Sequence, residues 1–386
     1  MRKLLWVGDA CVASGFARAT HHTLDTLRHV WDVSVLGMNY RGDPHPYPYP
    51  VFPCFPGGDA FGIGRLVEIV NRMQPDCIVL QNDVWNIPYY MDRLKHAKIT
   101  TPVVVAAAVD GKNCQGWKLN DAALTVFWTR FAETEARLGG YTRPSSVVPL
   151  GVDLDIYRPV GQAEARNALQ SLSGAKSKLP ADAFLVLNVN RNQQRKRLDL
   201  TIEYFCEWVR QENLDDAYLM LHSCPTGESE YDLDQLMDYY GMRDRLLLMT
   251  PDIGQGIPEK YLPYIYSCAD LQVSTTQGEG FGLTTFEGMA CGVPQIVPRW
   301  SALEELCEDA VLKVQCSTTA VTQNRINAIG GVPDRDRFID ALIMVYQSEE
   351  LREEMRERGQ QVVHQDKYRW ENVGSAFALA IDGIAK

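Results

Sequence analysis

The sequence lacks several features that would place it in a specialised class of protein. None of its 386 residues belongs to a run of the roughly 18 apolar residues that a membrane-spanning helix needs, and there is no low-complexity tract or internal repeat. The opening segment Met1–Gly8 is apolar only briefly, because Gly8 and Asp9 interrupt it, so it is better interpreted as a buried strand than as a signal peptide. We therefore expect a cytoplasmic protein.

Cysteine patterns typical of metal sites are also missing. The ten cysteines are scattered, without a Cys-x-x-Cys or a short Cys/His cluster, which favours free thiols in a reducing cytosol over a bound zinc ion. The G-x-G-x-x-G fingerprint of dinucleotide-binding proteins is absent too, since the loop after the first strand reads Gly8-Asp-Ala-Cys-Val-Ala-Ser-Gly15. A dinucleotide-dependent oxidoreductase is therefore a disfavoured alternative.

Charge is distributed unevenly along the chain. Residues 1–158 contain 16 Lys and Arg against 15 Asp and Glu, a net charge of +1, and the remainder contains 22 against 34, a net charge of −12. An acidic surface argues against indiscriminate binding of nucleic acid or anionic membranes. The near-neutral first half leaves room for a local basic patch. The candidate residues for such a patch are Arg93, Lys95, Lys98, Lys112 and Lys118.

Short apolar runs alternate with helical segments in the first half. The runs predicted as strands are Leu4–Val7, Val33–Leu36, Cys77–Leu80, Val103–Val109 and Ser146–Leu150, and the helical segments are Phe16–Leu27, Gly64–Met73 and Leu119–Leu138. Continuous apolar strands separated by helices predict a parallel sheet covered on both faces. Between Tyr40 and Gly58, six prolines exclude a helix or a central strand, which predicts an ordered surface loop or a rigid connector.

The second half repeats this alternation. Strands are predicted at Phe184–Val189, Ala217–Leu221, Leu246–Met249 and 271–274, and helices at Leu198–Gln211, Leu233–Tyr240, Lys260–Ser267 and Leu283–Cys291. The α/β fold class is thus two Rossmann-like doubly wound domains facing a deep cleft. We predict domains at 1–158 and 159–366, with a polar stretch at 161–178, and a last helix in 367–386 that returns to brace the first domain.

The segment Gln277–Pro294 reads Q-G-E-G-F-G-L-T-T-F-E-G-M-A-C-G-V-P and joins a predicted strand to a predicted helix. Its glycines allow backbone N–H groups to approach an anion, and the helix that follows adds the positive end of its dipole. Glu279 and Glu287 lie eight positions apart, one in the loop and one about a turn into the helix. The pattern indicates a phosphate-binding loop with two carboxylates at different depths; the alternative is a surface loop followed by an ordinary amphipathic helix.

These residues resemble the retaining GT-B glycosyltransferases, especially glycosyltransferase family four. That family combines a Glu-x7-Glu motif with an upstream Gly-Arg-x4-Lys-Gly element, which Asn190-Arg191-Asn-Gln-Gln-Arg-Lys196-Arg197 resembles. Val148–Asp153 and Tyr266–Asp270 resemble two further elements of the family. The resemblance covers most of the second half closely and the first half in outline.

The resemblance implies a donor site for a nucleotide-diphosphate sugar. Arg191 and Lys196 would stabilise the departing diphosphate without a metal ion, by bidentate hydrogen bonds and as a point charge respectively. Glu279 would hold hydroxyls of the transferred sugar, and Glu287 would hold the ribose. The alternative interpretation of the basic residues is a run of solvated loop charges.

Further donor contacts are implied in both halves. Backbone amides of Phe281, Gly282 and Leu283 would contact the diphosphate or the sugar, and Gly15 would pass close to the phosphates unless it forms only a tight turn. On the acceptor side the family histidine is missing, because the Pro-Val-Val-Val strand is followed by Val109-Asp110-Gly111. Asp110 is then the nearest polar candidate, with a structural role in the Gly111 turn as the alternative.

A second departure lies in the basic element. Arg197 stands where the family usually has glycine, so that Arg195 or Arg197 could share the phosphate role. The base of the nucleotide would be contacted largely by backbone groups, in the loop 250–256. Histidines of the first half that could line the acceptor side are His21, His22, His29, His45 and His96, each more commonly a surface or core residue.

The predicted function is a metal-independent retaining hexosyltransferase that uses a UDP- or GDP-sugar, for example UDP-glucose, and no cofactor. The acceptor would be a glycan, a lipid-linked sugar, a small molecule or a hydroxylated base in viral DNA. An epimerase of GT-B fold or a non-catalytic sugar-nucleotide binder remains the alternative. Stereochemistry and oligomeric state do not follow from the residues.

Overall fold

The chain divides into two compact units, Met1–Gly151 with Asp366–Lys386, and Val152–Gln365. The structure is a computed structural model, and it describes residues 1–55, 58–172, 179–180, 182–223, 231–249, 257–323 and 325–384. The polar stretch predicted at 161–178 contains a helix up to Leu172, and its remainder lies outside the described residues. In this described part, no helix combines the length and the apolar character needed to cross a membrane.

The first unit is built on a seven-stranded sheet in which every neighbouring pair is parallel, in the order β3-β2-β1-β4-β5-β6-β7. Its strands are β1 (Arg2–Asp9), β2 (Trp31–Met38), β3 (Val51–Pro53), β4 (Cys77–Asp83), β5 (Val103–Ala108), β6 (Leu124–Phe127) and β7 (Ser145–Val147). The central strands are buried on both faces, which explains their continuous apolar runs. The order reverses between β1 and β4, so the loops after these strands diverge at a topological switch point.

Helices flank this sheet. They are α1 (Gly15–Leu27), α2 (Leu66–Met73), α3 (Ile87–His96), α4 (Arg130–Leu138) and, from the end of the chain, α13 (Trp370–Asp382). Helix α13 packs on α1 so closely that a Cβ atom added at Gly374 would lie 2.4 Å from Cβ of Thr26. The Phe377 ring also packs against Trp6 of β1, with the ring centroids 5.3 Å apart and the ring planes tilted by 46°.

One prediction for the first half was wrong. The segment Leu119–Leu138 is not one helical segment: a 3-10 turn at Gly116–Leu119 precedes strand β6 and helix α4. The β-branched and aromatic residues of β6 pair with β5, and Thr129 then caps α4 by accepting a hydrogen bond from the Ala132 amide at 3.0 Å. Helix α3 was not predicted. In the proline-rich loop, β3 is an edge strand, as the prolines allow.

The second unit repeats the same winding in a six-stranded parallel sheet of order β10-β9-β8-β11-β12-β13. Its strands are β8 (Phe184–Val189), β9 (Ala217–His222), β10 (Leu246–Met249), β11 (Leu271–Val273), β12 (Gln295–Pro298) and β13 (Leu312–Val314). A separate antiparallel hairpin is formed by β14 (Cys316–Val321) and β15 (Ile329–Pro333). The strand order reverses between β8 and β11, which brings the loops after these two strands to one edge of the sheet.

The helices of the second unit complete the layers. They are α5 (Gln162–Leu172), α6 (Leu198–Gln211), α7 (Leu233–Tyr239), α8 (Leu262–Ser267), α9 (Leu283–Ala290), α10 (Ser301–Leu306), α11 (Arg335–Gln347) and α12 (Glu349–Val363). Helix α6 places Phe205 and Trp208 in the core, where Trp208 also meets the ring of Tyr346 at 5.5 Å. The fold class predicted from the sequence, α/β with two Rossmann-like doubly wound domains, is confirmed.

Candidate functional site

The loops after β8 and β11 are hydrogen-bonded to each other. Strands β8 and β11 are parallel neighbours, so both loops leave the sheet at its carboxyl edge. The amide of Gln277 donates to the carbonyl of Arg195 at 2.7 Å, and the Arg195 guanidinium donates to the carbonyl of Gly278 at 2.8 Å. The basic element and the glycine-rich segment of the sequence are therefore one structural unit.

A buried ion pair lies at the centre of this unit. The ammonium of Lys196 donates a hydrogen bond to Oε1 of Glu279, and Nη1 of Arg195 lies 3.5 Å from Oε2 of the same carboxylate. Burial by itself raises the pKa of Glu279, but Lys196 and then Arg195 outweigh it and lower the pKa overall. Glu279 is thus ionised at neutral pH, and the three side chains together carry one net positive charge.

The Glu279 backbone is positioned as well. Its amide donates to Oγ of Ser301 at 2.9 Å. Ser301 is buried with a φ of 50°, at the beginning of helix α10. Sequence reasoning missed this residue, because no local pattern connects a serine 22 positions downstream with the loop.

Arg191 lies elsewhere on the loop. It is exposed, two residues after the end of β8, and its carbonyl accepts a hydrogen bond from the Gln193 amide at 2.8 Å. Of the two cations predicted to face the diphosphate, Lys196 is therefore the buried one. Arg195, which the sequence suggested only as a residue that could share this role, is the second cation beside Glu279.

The structure shows how arginine is accommodated at position 197, where the family usually has glycine. Its φ of 50° and ψ of 48° place it in the left-handed region, which favours glycine. Its guanidinium is bound to Asp199, with Nη2–Oδ2 and Nε–Oδ1 distances of 2.9 and 3.0 Å. The loop thus keeps the backbone conformation that a glycine would take, and the Arg197 side chain is engaged by Asp199.

Gly282 marks the beginning of helix α9. Its φ is 97°, and a Cβ atom added to it would lie 2.6 Å from Cδ2 of Leu303, so both conformation and space require glycine here. Phe281 before it is buried against Phe286 at a centroid distance of 4.7 Å, and Leu283 is the first helical residue. The backbone amides of these predicted donor-binding residues lie at the positive end of the helix dipole.

Glu287 lies one turn into α9 and is 2% exposed. The buried hydroxyl of Tyr266, on helix α8, donates a hydrogen bond to its Oε2 at 2.6 Å. Tyr266 belongs to the segment Tyr266–Asp270 quoted for the family resemblance, yet nothing in that segment indicated its contact with the carboxylate. The hydrogen bond holds Oε2 in place before any ligand is bound.

A network of hydrogen bonds among buried polar side chains supports the two loops. The Asn188 amide group donates to Oγ1 of Thr201 at 2.8 Å, and the hydroxyls of Thr201 and Thr275 lie 2.6 Å apart. Thr275 in turn donates to the carbonyl of Arg197 at 2.7 Å. Satisfied buried networks of this kind hold loop backbones in one arrangement.

The hairpin β14–β15 supports the glycine-rich loop from another side. The Gly331 amide donates to the carbonyl of Gln277 at 2.8 Å, and a Cβ atom at Gly330 would lie 2.4 Å from Cβ of Gln277. Gln277 is therefore hydrogen-bonded to Arg195 through its amide and to the hairpin through its carbonyl.

Two predicted site residues belong to the first unit. Gly15 is the first residue of α1, and Ser14 before it caps the helix by accepting from the Ala17 amide at 3.0 Å. The Ser14 hydroxyl itself donates to Asp9 at 2.7 Å. Asp110 follows β5 by two residues and is partly buried.

Among the other candidates, His21 is hydrogen-bonded through its two ring nitrogens to the Tyr49 hydroxyl and the Ala10 carbonyl, at 2.6 and 2.7 Å. Burial lowers the pKa of His21 to about 4, against smaller opposing effects of Ala10 and Asp25. Neutral His21 thus ties the proline-rich loop to α1. The loop 250–256, predicted to contact the base, lies outside the described residues.

Residues 172–362 match the family model described as "Glycosyl transferases group 1". The second unit carries a group 1 glycosyltransferase domain. The match covers just under half of the chain and contains Lys196, Glu279 and Glu287 as well as the loops that hold them.

A curated relative of the group 1 domain is the D-inositol 3-phosphate glycosyltransferase of Geodermatophilus obscurus. It is 30% identical over 178 residues, which are 45% of this chain and 37% of the relative. The chain therefore matches well under half the length of this relative.

Two solved structures share the fold over the whole chain. The sucrose-phosphate synthase of Thermosynechococcus elongatus superposes with a TM-score of 0.76 at 17% identity, covering 100% of this chain and 99% of the other. Anabaena HepE, solved in complex with UDP, gives 0.70 at 16% identity, covering 99% and 100%. The fold around the group 1 domain is thus that of GT-B glycosyltransferases.

Proposed function

We propose that the protein transfers a hexosyl group from a UDP- or GDP-sugar to an acceptor hydroxyl, with retention of the anomeric configuration. The observation that carries this proposal is the cluster in the group 1 domain in which partly buried Arg195 joins the buried pair of Lys196 and Glu279. Lysine, arginine and an ionised carboxylate side by side suit a ligand that has both phosphates and hydroxyls.

The cluster matches the charge change of glycosyl transfer. As the anomeric bond breaks, its electron pair stays with the diphosphate, which gains negative charge. Lys196 and Arg195 would meet that charge, with the exposed Arg191 at the rim of the loop, so that no metal ion is required. Preorganised cations of this kind stabilise the transition state more than the ground state.

The two glutamates divide the rest of the donor between them. Glu279 lies in the loop with the cations, and we assign it the hydroxyls of the transferred sugar. Glu287, held by Tyr266 a turn into α9, is assigned the ribose hydroxyls. As carboxylates, both are acceptors for sugar hydroxyls.

Retention is part of the proposal through the family resemblance. The acceptor hydroxyl would attack the face that the diphosphate leaves, and a phosphate oxygen of the leaving group would take its proton. This step balances without a protein base. Asp110 would be the polar residue on the acceptor side. Gly15 would pass close to the donor phosphates.

The proposed acceptor is a hydroxyl of a polyhydroxylated molecule. The relative is named for D-inositol 3-phosphate, and the structural neighbour is a sucrose-phosphate synthase. A glycan, a lipid-linked sugar or a hydroxylated base in viral DNA offers the same reacting group, and an acceptor screen would separate them.

A thermal-shift panel of UDP-, GDP- and ADP-sugars tests donor binding. A ligand at about 100 times its dissociation constant stabilises the native state by about 2.7 kcal/mol. If no nucleotide sugar raises the melting temperature, the proposal is wrong. Metal independence is tested by adding a chelator, which should leave turnover unchanged.

Product analysis separates transfer from the alternatives. A transferase releases nucleoside diphosphate in step with acceptor consumption. Release without any acceptor, or conversion of one nucleotide sugar into its epimer, would contradict transfer. Binding without any turnover over a broad acceptor panel would favour a non-catalytic binder.

A further inference from the structure

Two buried polar atoms lie at the carboxyl end of β9 without hydrogen-bond partners in the part of the chain that the structure describes. They are Nδ1 of His222 and Oγ of Ser223. Ser223 is 4% exposed. A buried polar atom without a partner costs free energy, so two of them on successive residues call for an explanation other than packing.

The pair lies beside the proposed donor site. In the sheet, His222 is in register with Val189 of β8 on one side and with Met249 of β10 on the other. The Ser223 amide donates to the Met249 carbonyl at 3.2 Å. Because Val189 is followed by the loop that carries Arg195 and Lys196, His222 and Ser223 lie on the strand next to the beginning of that loop.

Neighbouring polar side chains at this edge of the sheet are satisfied. Asn190 donates to Oδ1 of Asn188 at 2.7 Å, and Asn188 donates to Thr201 at 2.8 Å. The buried polar side chains that support the loop thus have hydrogen-bond partners within the fold. Nδ1 of His222 and Oγ of Ser223 have no such partner among the described residues, so both atoms are available to a ligand.

Both side chains of the pair are uncharged at neutral pH. Burial lowers the pKa of His222 to about 4, with a smaller opposing effect from a hydrogen bond to the Met249 backbone, so the imidazole is neutral at neutral pH. A neutral imidazole has one donor and one acceptor nitrogen, and Nδ1, which has no partner among the described residues, can serve as the acceptor. Ser223 offers a hydroxyl donor next to it.

We infer that His222 and Ser223 bind the nucleobase of the donor and select a base with an N–H beside a carbonyl group. Nδ1 of His222 accepts from the ring N–H, and the Ser223 hydroxyl donates to the carbonyl. Uracil and guanine have this edge, and adenine does not. The inference rests on the proposed function, because it assumes that a nucleotide sugar occupies the group 1 domain.

Calorimetric titration of the full chain with UDP, GDP, ADP and inorganic pyrophosphate tests the inference. We expect Ser223→Ala and His222→Leu each to weaken UDP or GDP binding about tenfold, the effect of one lost hydrogen bond to a buried partner. Pyrophosphate binding should not change. His222→Asn, which keeps an acceptor near the position of Nδ1, should recover most of the affinity.

A matched serine separates binding from stability. Oγ of buried Ser267 accepts a hydrogen bond from the Val160 amide at 3.1 Å, so Ser267→Ala should lower the melting temperature without changing nucleotide affinity. Ser223→Ala should weaken nucleotide binding without lowering the melting temperature, because its hydroxyl has no partner among the described residues to lose.

The outcomes are distinct. If the wild-type protein binds UDP or GDP and the His222 and Ser223 variants bind them equally well, the base assignment is wrong while the proposed function stands. An equal loss of pyrophosphate affinity would mean that the pair contacts the diphosphate, which also overturns it. If the wild-type protein binds no nucleotide at all, the proposed function fails first and the inference falls with it.

Discussion

The ammonium of Lys196 and the carboxylate of Glu279 form a buried ion pair between two loops that are 83 residues apart in the chain. Removing one partner of a buried pair leaves the other uncompensated, which is costly. Here Arg195 also faces the carboxylate, so that either cation can be changed while one remains. This arrangement makes the cluster open to mutational tests in a folded protein.

The pH dependence of the melting temperature should show the stabilising contribution of ionised Glu279. Its folded-state pKa is below the ordinary value of 4.5, so its ionised form stabilises the fold above that pH, and the contribution is lost as the pH falls through the folded-state pKa. We expect Glu279→Gln to lower the melting temperature at neutral pH. The difference from wild type should shrink in acid, and a difference that is constant with pH would contradict the assignment.

Lys196→Ala should lower kcat about a hundredfold, because losing one preorganised charge contact costs about 3 kcal/mol in the transition state. Circular dichroism should show a folded protein, since Arg195 still faces Glu279. Lys260→Ala, which removes an exposed lysine of the same unit, is the matched control and should leave kcat unchanged. Wild-type kinetics in the Lys196 variant would rule out its assigned role.

Arg197→Gly should be more stable than Arg197→Ala. Both variants lose the ion pair with Asp199, but only glycine adopts the left-handed backbone at this position without strain, worth about 1–2 kcal/mol. Urea unfolding of the two variants measures the difference directly. Turnover of both should stay near wild type, and a large loss in kcat would instead place Arg197 among the donor contacts.

Tyr266→Phe should weaken donor binding about tenfold with a smaller effect on kcat. The variant removes the hydroxyl that holds Oε2 of Glu287, a residue assigned to the ribose and so away from the reacting atoms. Glu287→Ala should weaken binding at least as much. Tyr264→Phe, on the same helix, is the control, and equal donor affinity in the Tyr264 and Tyr266 variants would contradict the positioning role.

Much of the fold follows from local sequence. Helix α6 and strand β10 have the predicted limits Leu198–Gln211 and Leu246–Met249. Their periodicity and turn signals act within a few residues, where prediction is strongest. The error at Leu119–Leu138 arose because β6 is short and borders two helical segments, and its pairing with β5 decided the outcome.

The residues of the site were only partly predictable. The spacing of Glu279 and Glu287 and the basic element pointed to the two loops and to Lys196. The contacts of Ser301 with the Glu279 amide and of Tyr266 with Glu287 cross 22 and 21 positions of sequence. No local pattern specifies such pairs, because they depend on how helices α8 and α10 pack.

The sequence by itself thus determined the alternation of strands and helices and the glycine-rich segment with its two carboxylates, because these depend on local periodicity and on backbone freedom at glycine. Only the tertiary structure decided which cations face Glu279. It placed Arg195 beside Lys196 and engaged Arg197 with Asp199, because the parallel pairing of β8 with β11 sets where the two loops meet.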